Sequence, residues 1–360
     1  MKKDYTNEID LLRFLAAIAV VFFHWGFLGY ADGTIAMSYD VLGRASQYGY
    51  LGVQLFFIIS GFVIIMSAGN ATVASFTIAR IIRLYPAYWL CCTLSFIAIL
   101  SFDQTKFSAS LSTYLYNMTM LEGFLSKPFI DHSYWTLTVE IRFYFLVALV
   151  ILLGQIRKAE LFVLGWLAAI IALEFYPVAF LAKHLMQKFA PYFIAGTLFY
   201  FIRANGLSAR RIAALVVSWA MAVRASLSQA NELSAQNSIS YDPVIVGVVI
   251  SIFFVVMFLV AIRKTGRLGS MKWTLLGSLT YPLYLIHQTV GFLIFNALYP
   301  AVNRHLLFWG TLAGALCFAY LVTTYVEQRY ASRLRSVLTM AWVPFDSRLQ
   351  ALGQKLRNVA

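Results

Sequence analysis

RFLAAIAVVFFH, Arg13 to His24, sets ten apolar residues between a guanidinium and an imidazole. With its apolar flanks the stretch grows into a run over 9–28, within the roughly 17 to 25 residues that a helix uses to cross a hydrocarbon core of about 30 Å. Nine more runs follow, centred on 48–67, 82–100, 134–153, 161–181, 189–202, 212–223, 244–262, 275–298 and 306–325; the sixth and seventh are short. The 360 residues are 61% hydrophobic and 12% charged, which excludes an ordinary soluble domain. The expected fold is all-α, a polytopic membrane helix bundle of about ten transmembrane helices.

Charge supports that count. With the N-terminus placed inside, nineteen of the 28 lysines and arginines fall on the inner side and seven on the outer, with Arg13 and Arg142 inside spans. Basic residues favour the cytoplasm, so both termini are expected there. The net charge of +13 is then a topology signal, and a nucleic-acid partner is not expected because the basic residues form no patch. The first run carries Arg13 and no small-residue cleavage pattern, so it reads as a retained helix. Cys91, Cys92 and Cys317 have neither disulfide nor metal-ligand spacing and read as small packing residues. Residues 1–325 form the expected membrane domain, and 326–360 a basic cytoplasmic or interfacial tail.

Eleven positions at about 100° each make three turns and roughly 20°, so Arg13 and His24 share one helix face, about 16 Å apart along the axis. Arg13 can snorkel or pair with Asp10, whereas His24, in the outer half of the bilayer, cannot snorkel so easily. Ionisable groups at such depth cost energy and face a protein interior or a wet cavity. Glu140 in YWTLTVEIRFYFL and His287 in SLTYPLYLIH fall in the same outer half, so a carboxylate orienting an imidazole base is one expectation. A structural hydrogen bond is the alternative for His287.

At the cytoplasmic boundary ARIIRLYPAYW places Arg80 and Arg83 on one helix face, followed by Tyr85. Such a pair suits phosphate, although arginines and aromatics also serve as plain anchors there. Ser60 and Gly61 at mid-depth permit close packing or bending, and GTLAG, Gly310 to Gly314, reads as a small-residue packing motif.

Together, Arg13-x10-His24, GVQLFFIISGF at 52–62, RIIRLYPAYW at 80–89, YWTLTVE at 134–140 and YPLYLIH at 281–287 resemble the acyltransferase-3 family of integral membrane acyltransferases. The resemblance covers about the first 325 residues. It implies a multi-pass protein of the bacterial cytoplasmic (inner) membrane that O-acetylates a surface or exported glycan or a lipid-linked glycan. Acetyl-coenzyme A would be the cosubstrate, with no permanently bound cofactor and no metal, and membrane lipids the surroundings. It also implies catalytic roles for His24 and Arg13, with Glu140 less directly, and donor binding by Arg80 and Arg83, to which Tyr85 is added. His287, Ser60 and Tyr284 are expected as substrate-binding or structural polar residues. His24 would act as general base or as transient acyl carrier, the polar connections at about 102–133 and 224–243 would gate the acceptor, and transfer would finish within the membrane domain. A transporter or flippase without covalent chemistry is the rival reading, since polar residues inside a bundle also mark substrate paths. The soluble H-x4-D and G-x-S-x-G patterns fail at Gly29 and Ile58.

Overall fold

A computed structural model of the chain describes residues 6–102, 106–237 and 239–342. Helices occupy all ten apolar runs. They are α1 (Asn7–Phe23, continuing through a π turn at His24–Leu28 to Ala31), α2 (Gly52–Ala68), α3 (Val73–Ser101), and, after the short α4 (Leu111–Met118), α5 (Trp135–Leu152). There follow α6 (Ala159–Phe175), α7 (Ala190–Asn205), α8 (Ala209–Asn237), α9 (Pro243–Ala261), α10 (Thr274–Leu298) and α11 (Arg304–Leu321, then a π turn at Val322–Glu327). The last helix runs on to Trp342; the part of the expected tail beyond that residue lies outside the described residues.

Seven helical segments among the described residues are long and apolar enough to cross a membrane. The other three of the ten are α6, α7 and α10. The first has 17 residues and the second 16, nearly all of them buried, whereas α10 has length to spare but carries Pro282, His287 and Gln288. A helix enclosed by protein needs no apolar outer face, which is why α7 and α10 tolerate short length or polar groups.

The centre of the bundle is the crossing of α2 with α7, and that of α1 with α10. In the first, Gly61 and Gly196 face the opposite backbone: a methyl carbon on Gly61 would lie 2.2 Å from the Phe193 carbonyl oxygen, and one on Gly196 1.9 Å from that of Ile58. The expected close packing at Ser60–Gly61 is therefore present. The expected packing at GTLAG is not, because a methyl carbon on Gly310 or Gly314 would meet nothing within 4 Å among the described residues. Both glycines instead line an apolar cavity of about 640 Å³ with Trp25, His287 and Gly291. Cys91 and Cys92 are buried as expected, whereas Cys317 is exposed.

Two connections differ from expectation. The seventh run ends at Val223, yet α8 continues to Asn237; Ser226 and Ala230 are buried there, and Ser226 meets Tyr192 Oη at 2.7 Å. Polar residues ended the apolar run without ending the helix. Residues 111–131 do not float above the bundle either. Thr93 Oγ1 meets Tyr114 Oη at 2.9 Å, Trp89 Nε1 donates to Met118 O at 2.9 Å and Tyr85 Oη to Thr119 O at 2.8 Å. The segment thus descends along α3 for some eight residues of that helix, or about 12 Å at 1.5 Å per residue from Thr93 to Tyr85. Irregular backbone at such depth needs protein around it. Asn117 supplies part of that, donating to Pro128 O at 2.8 Å and accepting from Ile130 N at 3.0 Å.

Candidate active site

A cavity of about 620 Å³ opens between α1, α2, α3, α5, α10 and the end of α11. Arg80, Arg83, Glu327 and Arg335 line it, with Arg13, Ser60, Glu140 and Tyr144 as further polar lining and Tyr281 and Tyr284 from α10. Arg83 pairs with Glu327 at 3.0 Å and lies over the Tyr281 ring at 5.5 Å. The Arg80 guanidinium stands 5.7 Å from the Phe76 ring and 5.9 Å from that of Tyr144, and its Nε is buried without a partner among the described residues. Glu140 accepts from Ser60 Oγ at 2.8 Å. Four arginines against two glutamates leave the lining cationic.

Tyr284 joins this cavity to a pair of histidines. Its hydroxyl meets Thr136 Oγ1 at 3.0 Å, its ring centre lies 5.4 Å from that of His287, and its carbonyl faces His287 Nδ1 at 2.7 Å. His287 Nε2 is 3.0 Å from His24 Nδ1, and His24 Nδ1 is also 2.9 Å from Val20 O. Carbonyl oxygens only accept, so this network assigns one hydrogen to Nδ1 of each ring. The neutral His287 then accepts at Nε2, His24 shares its Nδ1 hydrogen between His287 and Val20, and His24 Nε2 keeps a lone pair with no partner among the described residues. The π turn that begins at His24 widens the backbone here, a distortion common at functional positions. His287 is 1% exposed, whereas His24 is only partly buried, so the ring with the free lone pair is the accessible one.

Asp131 stands behind the pair. Fully buried, it accepts from Ser133 N at 2.9 Å, from Ser133 Oγ at 2.6 Å and from Thr289 N at 2.8 Å, tying the descending segment to α10 two residues past His287. Tyr134 Oη donates to Leu285 O at 3.1 Å, and Trp25 Nε1 donates to His287 O at 2.8 Å. The backbone around His287 is thus held from α1 and from the start of α5.

Residues 6–324 match the family model described as an acyltransferase domain, that of acyltransferase-3. The chain belongs to the acyltransferase-3 family. It is a multi-pass membrane protein built around that family's acyltransferase domain. The relatives it resembles include "Nodulation protein 10" of Rhizobium leguminosarum bv. viciae, 30% identical over 39% of this chain and 42% of that protein. "Putative acetyltransferase ORF330" of Acidianus two-tailed virus is 25% identical over 80% of this chain and 84% of its own length. The chain therefore aligns with less than half of the first relative and most of the second. No solved structure matches.

In this acyltransferase the expected residues fall into two groups. Arg13, Ser60, Arg80, Arg83, Glu140 and Tyr284 line one cavity, and His24 and His287 form the pair beyond Tyr284. Two expectations are corrected. The partner of His24 is an imidazole, whereas Glu140 turns to Ser60. Tyr85 does not line that cavity; its hydroxyl is bound to Thr119 O in the descending segment, and the tyrosines of the cavity are Tyr144, Tyr281 and Tyr284. Asp131, Glu327 and Arg335 escaped the sequence reading, the first because it lies in what read as a polar connection and the other two because the tail read as a separate unit.

Proposed function

We propose that this acyltransferase moves an acetyl group from cytoplasmic acetyl-coenzyme A to a hydroxyl of a cell-surface or exported glycan or lipid-linked glycan, with His24 Nε2 as the general base. The observation that carries the reading is the His24–His287 pair, whose hydrogen bonds leave that one lone pair unused, with Tyr284 standing between His287 and an arginine-lined cavity. Ten spans in a bacterial inner membrane, both termini cytoplasmic, put the cavity mouth at Arg80 and Arg83 on the donor side. Contacts between α6 and α8 support the alternation by setting the two helices parallel: Arg211 pairs with Glu160 at 2.8 Å near the start of both, and Arg224 pairs with Glu174 farther along.

The donor's phosphates rest on Arg80 and Arg83 by charge-assisted hydrogen bonds. From phosphate ester to sulfur the pantetheine arm has roughly twelve bonds, the length of about four extended residues or about 14 Å. Arg13, in the same lining, is separated from His24 by a rise of about 16 Å along α1. The arm thus carries the thioester from the arginines toward the imidazoles while the charged nucleotide stays at the mouth.

Transfer then follows. The acceptor hydroxyl gives its proton to His24 Nε2 as its oxygen bonds to the thioester carbonyl carbon. The resulting imidazolium is stabilised because its Nδ1 hydrogen is shared between His287 Nε2 and Val20 O, and hydrogen bonds to a charged form favour it. The carbon–sulfur bond breaks, and the thiolate takes the proton back from Nε2, leaving the ester and free coenzyme A. Arg13, deeper in the same lining, steadies the donor with Glu140 as its nearby countercharge.

Proton NMR of surface polysaccharide from a strain lacking this gene, complemented with wild type or His24→Ala at matched abundance, tests the reading. Acetyl signals restored by wild type alone support it. Restoration by both removes His24 from the chemistry, and acetyl-coenzyme A left unconsumed by purified wild-type protein supplied with acceptor favours a transporter.

A further inference from the structure

The donor cavity is walled on one side by the chain beyond α11's π turn. Glu327, Gln328, Ala331 and Arg335 all line it, and positions 327, 331 and 335 are successive fourth residues, one face of a helix. The π turn at Val322–Glu327 sets that face, because a widened turn rotates everything after it, and Thr323 Oγ1 anchors the turn to Ser278 O at 3.0 Å. This last turn of the membrane bundle thus leads into a segment that forms part of the site.

The charges are arranged around an exchangeable partner. Glu327 Oε2 holds Arg83 at 3.0 Å, while Glu327 Oε1 and Arg80 Nε are both buried with no partner among the described residues. A carboxylate and a phosphate present the same kind of acceptor to a guanidinium fork. Arg83 is 40% exposed and Glu327 13%, so the arginine can be approached from the cavity without dismantling the helix that carries the glutamate.

Resting on the reading of the donor as an acyl-coenzyme A, we infer that the helix after the π turn completes the donor site, with Arg335 as a third phosphate-binding arginine and Glu327 as a carboxylate that occupies Arg83 until a donor phosphate displaces it. The ligand chemistry is that of a nucleotide carrying several phosphates. An anionic lipid headgroup offers one phosphate to the same arginines, and the experiment separates the two.

Coenzyme A is titrated calorimetrically into full-length protein in phosphatidylcholine nanodiscs, for wild type, Glu327→Gln, Arg335→Ala and Arg335→Lys. Losing the competing carboxylate tightens binding about three- to tenfold in Glu327→Gln, and losing one charge-assisted phosphate contact weakens it about tenfold in Arg335→Ala, with partial recovery in Arg335→Lys. A purely structural Glu327 gives weaker or unchanged binding on substitution, and that result overturns the inference, as does unchanged binding in Arg335→Ala. Repeating the titrations with phosphatidylglycerol in the nanodiscs identifies the source: if the Arg335→Ala deficit appears only there, the arginine serves a lipid and the inference falls. Wild type that neither binds coenzyme A nor consumes acetyl-coenzyme A overturns the donor reading itself, whereas wild type that does both with indifferent variants overturns only the role of the last helix.

Discussion

The Nδ1 of His24 lies 3.0 Å from the Nε2 of His287, and the hydrogen between them belongs to His24 because His287 spends its own on Tyr284 O. One ring therefore orients the other, and the lone pair that these hydrogen bonds leave unused is on His24 Nε2. In a Ser-His-Asp site a carboxylate performs this orientation. Here a neutral, buried imidazole does so, with Asp131 fixing the backbone beyond it.

The two histidines act as a unit, so their losses do not multiply. His24→Ala lowers kcat for acetyl transfer by about 10²–10⁴-fold, the usual worth of a general base, and His287→Ala by about 10–10²-fold. The double variant is no slower than His24→Ala alone. Steady-state kinetics on all three check this, and a double variant slower by the product of the single losses contradicts it.

Tyr284 acts on His287 through its carbonyl, which any residue supplies, while its hydroxyl binds Thr136 and Ser133 O. Tyr284→Phe keeps kcat within about threefold and loses about 1 kcal/mol of stability, the net value of an ordinary hydrogen bond. A tenfold fall in kcat at unchanged protein abundance would place the hydroxyl on a substrate.

Asp131 is the strongest tie between the descending segment and α10. Asp131→Ala leaves Thr289 N and Ser133 N without that acceptor, at a cost of about 1–3 kcal/mol. Thermal unfolding in detergent reads the loss. Unaltered unfolding would show that the carboxylate does not hold the segment.

At the centre of the bundle, Gly61→Ala and Gly196→Ala each drive a methyl carbon against a backbone carbonyl, an overpacking that costs about 1–3 kcal/mol. Gly69→Ala, where a methyl carbon meets nothing within 4 Å, leaves the unfolding midpoint unchanged. Equal behaviour of the three variants contradicts the close crossing of α2 and α7.

Much of the site was legible because depth in a membrane is written into sequence position. The Arg13–His24 spacing placed one residue on the cavity and the other with His287, and the rise along α10 brought His287 to the matching height. Glu140 shows the limit of that reasoning: depth orders residues along the bundle but does not say which faces which, and its own helix turns it to Ser60. Hydropathy also mistook polar for peripheral. Residues 111–131 and the end of α8 carry too few apolar side chains to register as bundle, yet both are packed into it because their polar groups find partners inside the protein. The same bias separated Glu327 and Arg335 from the cavity they line.

The most direct measurement is single-turnover transfer of labelled acetyl from acetyl-coenzyme A to acceptor by His24→Asn, whose amide nitrogen keeps a donor for Val20 O and His287 but has no counterpart of Nε2. The account predicts coenzyme A binding close to wild type and a transfer rate lower by at least about 10²-fold. Transfer near the wild-type rate would contradict it, since the lone pair on His24 Nε2 would then have no part in the chemistry.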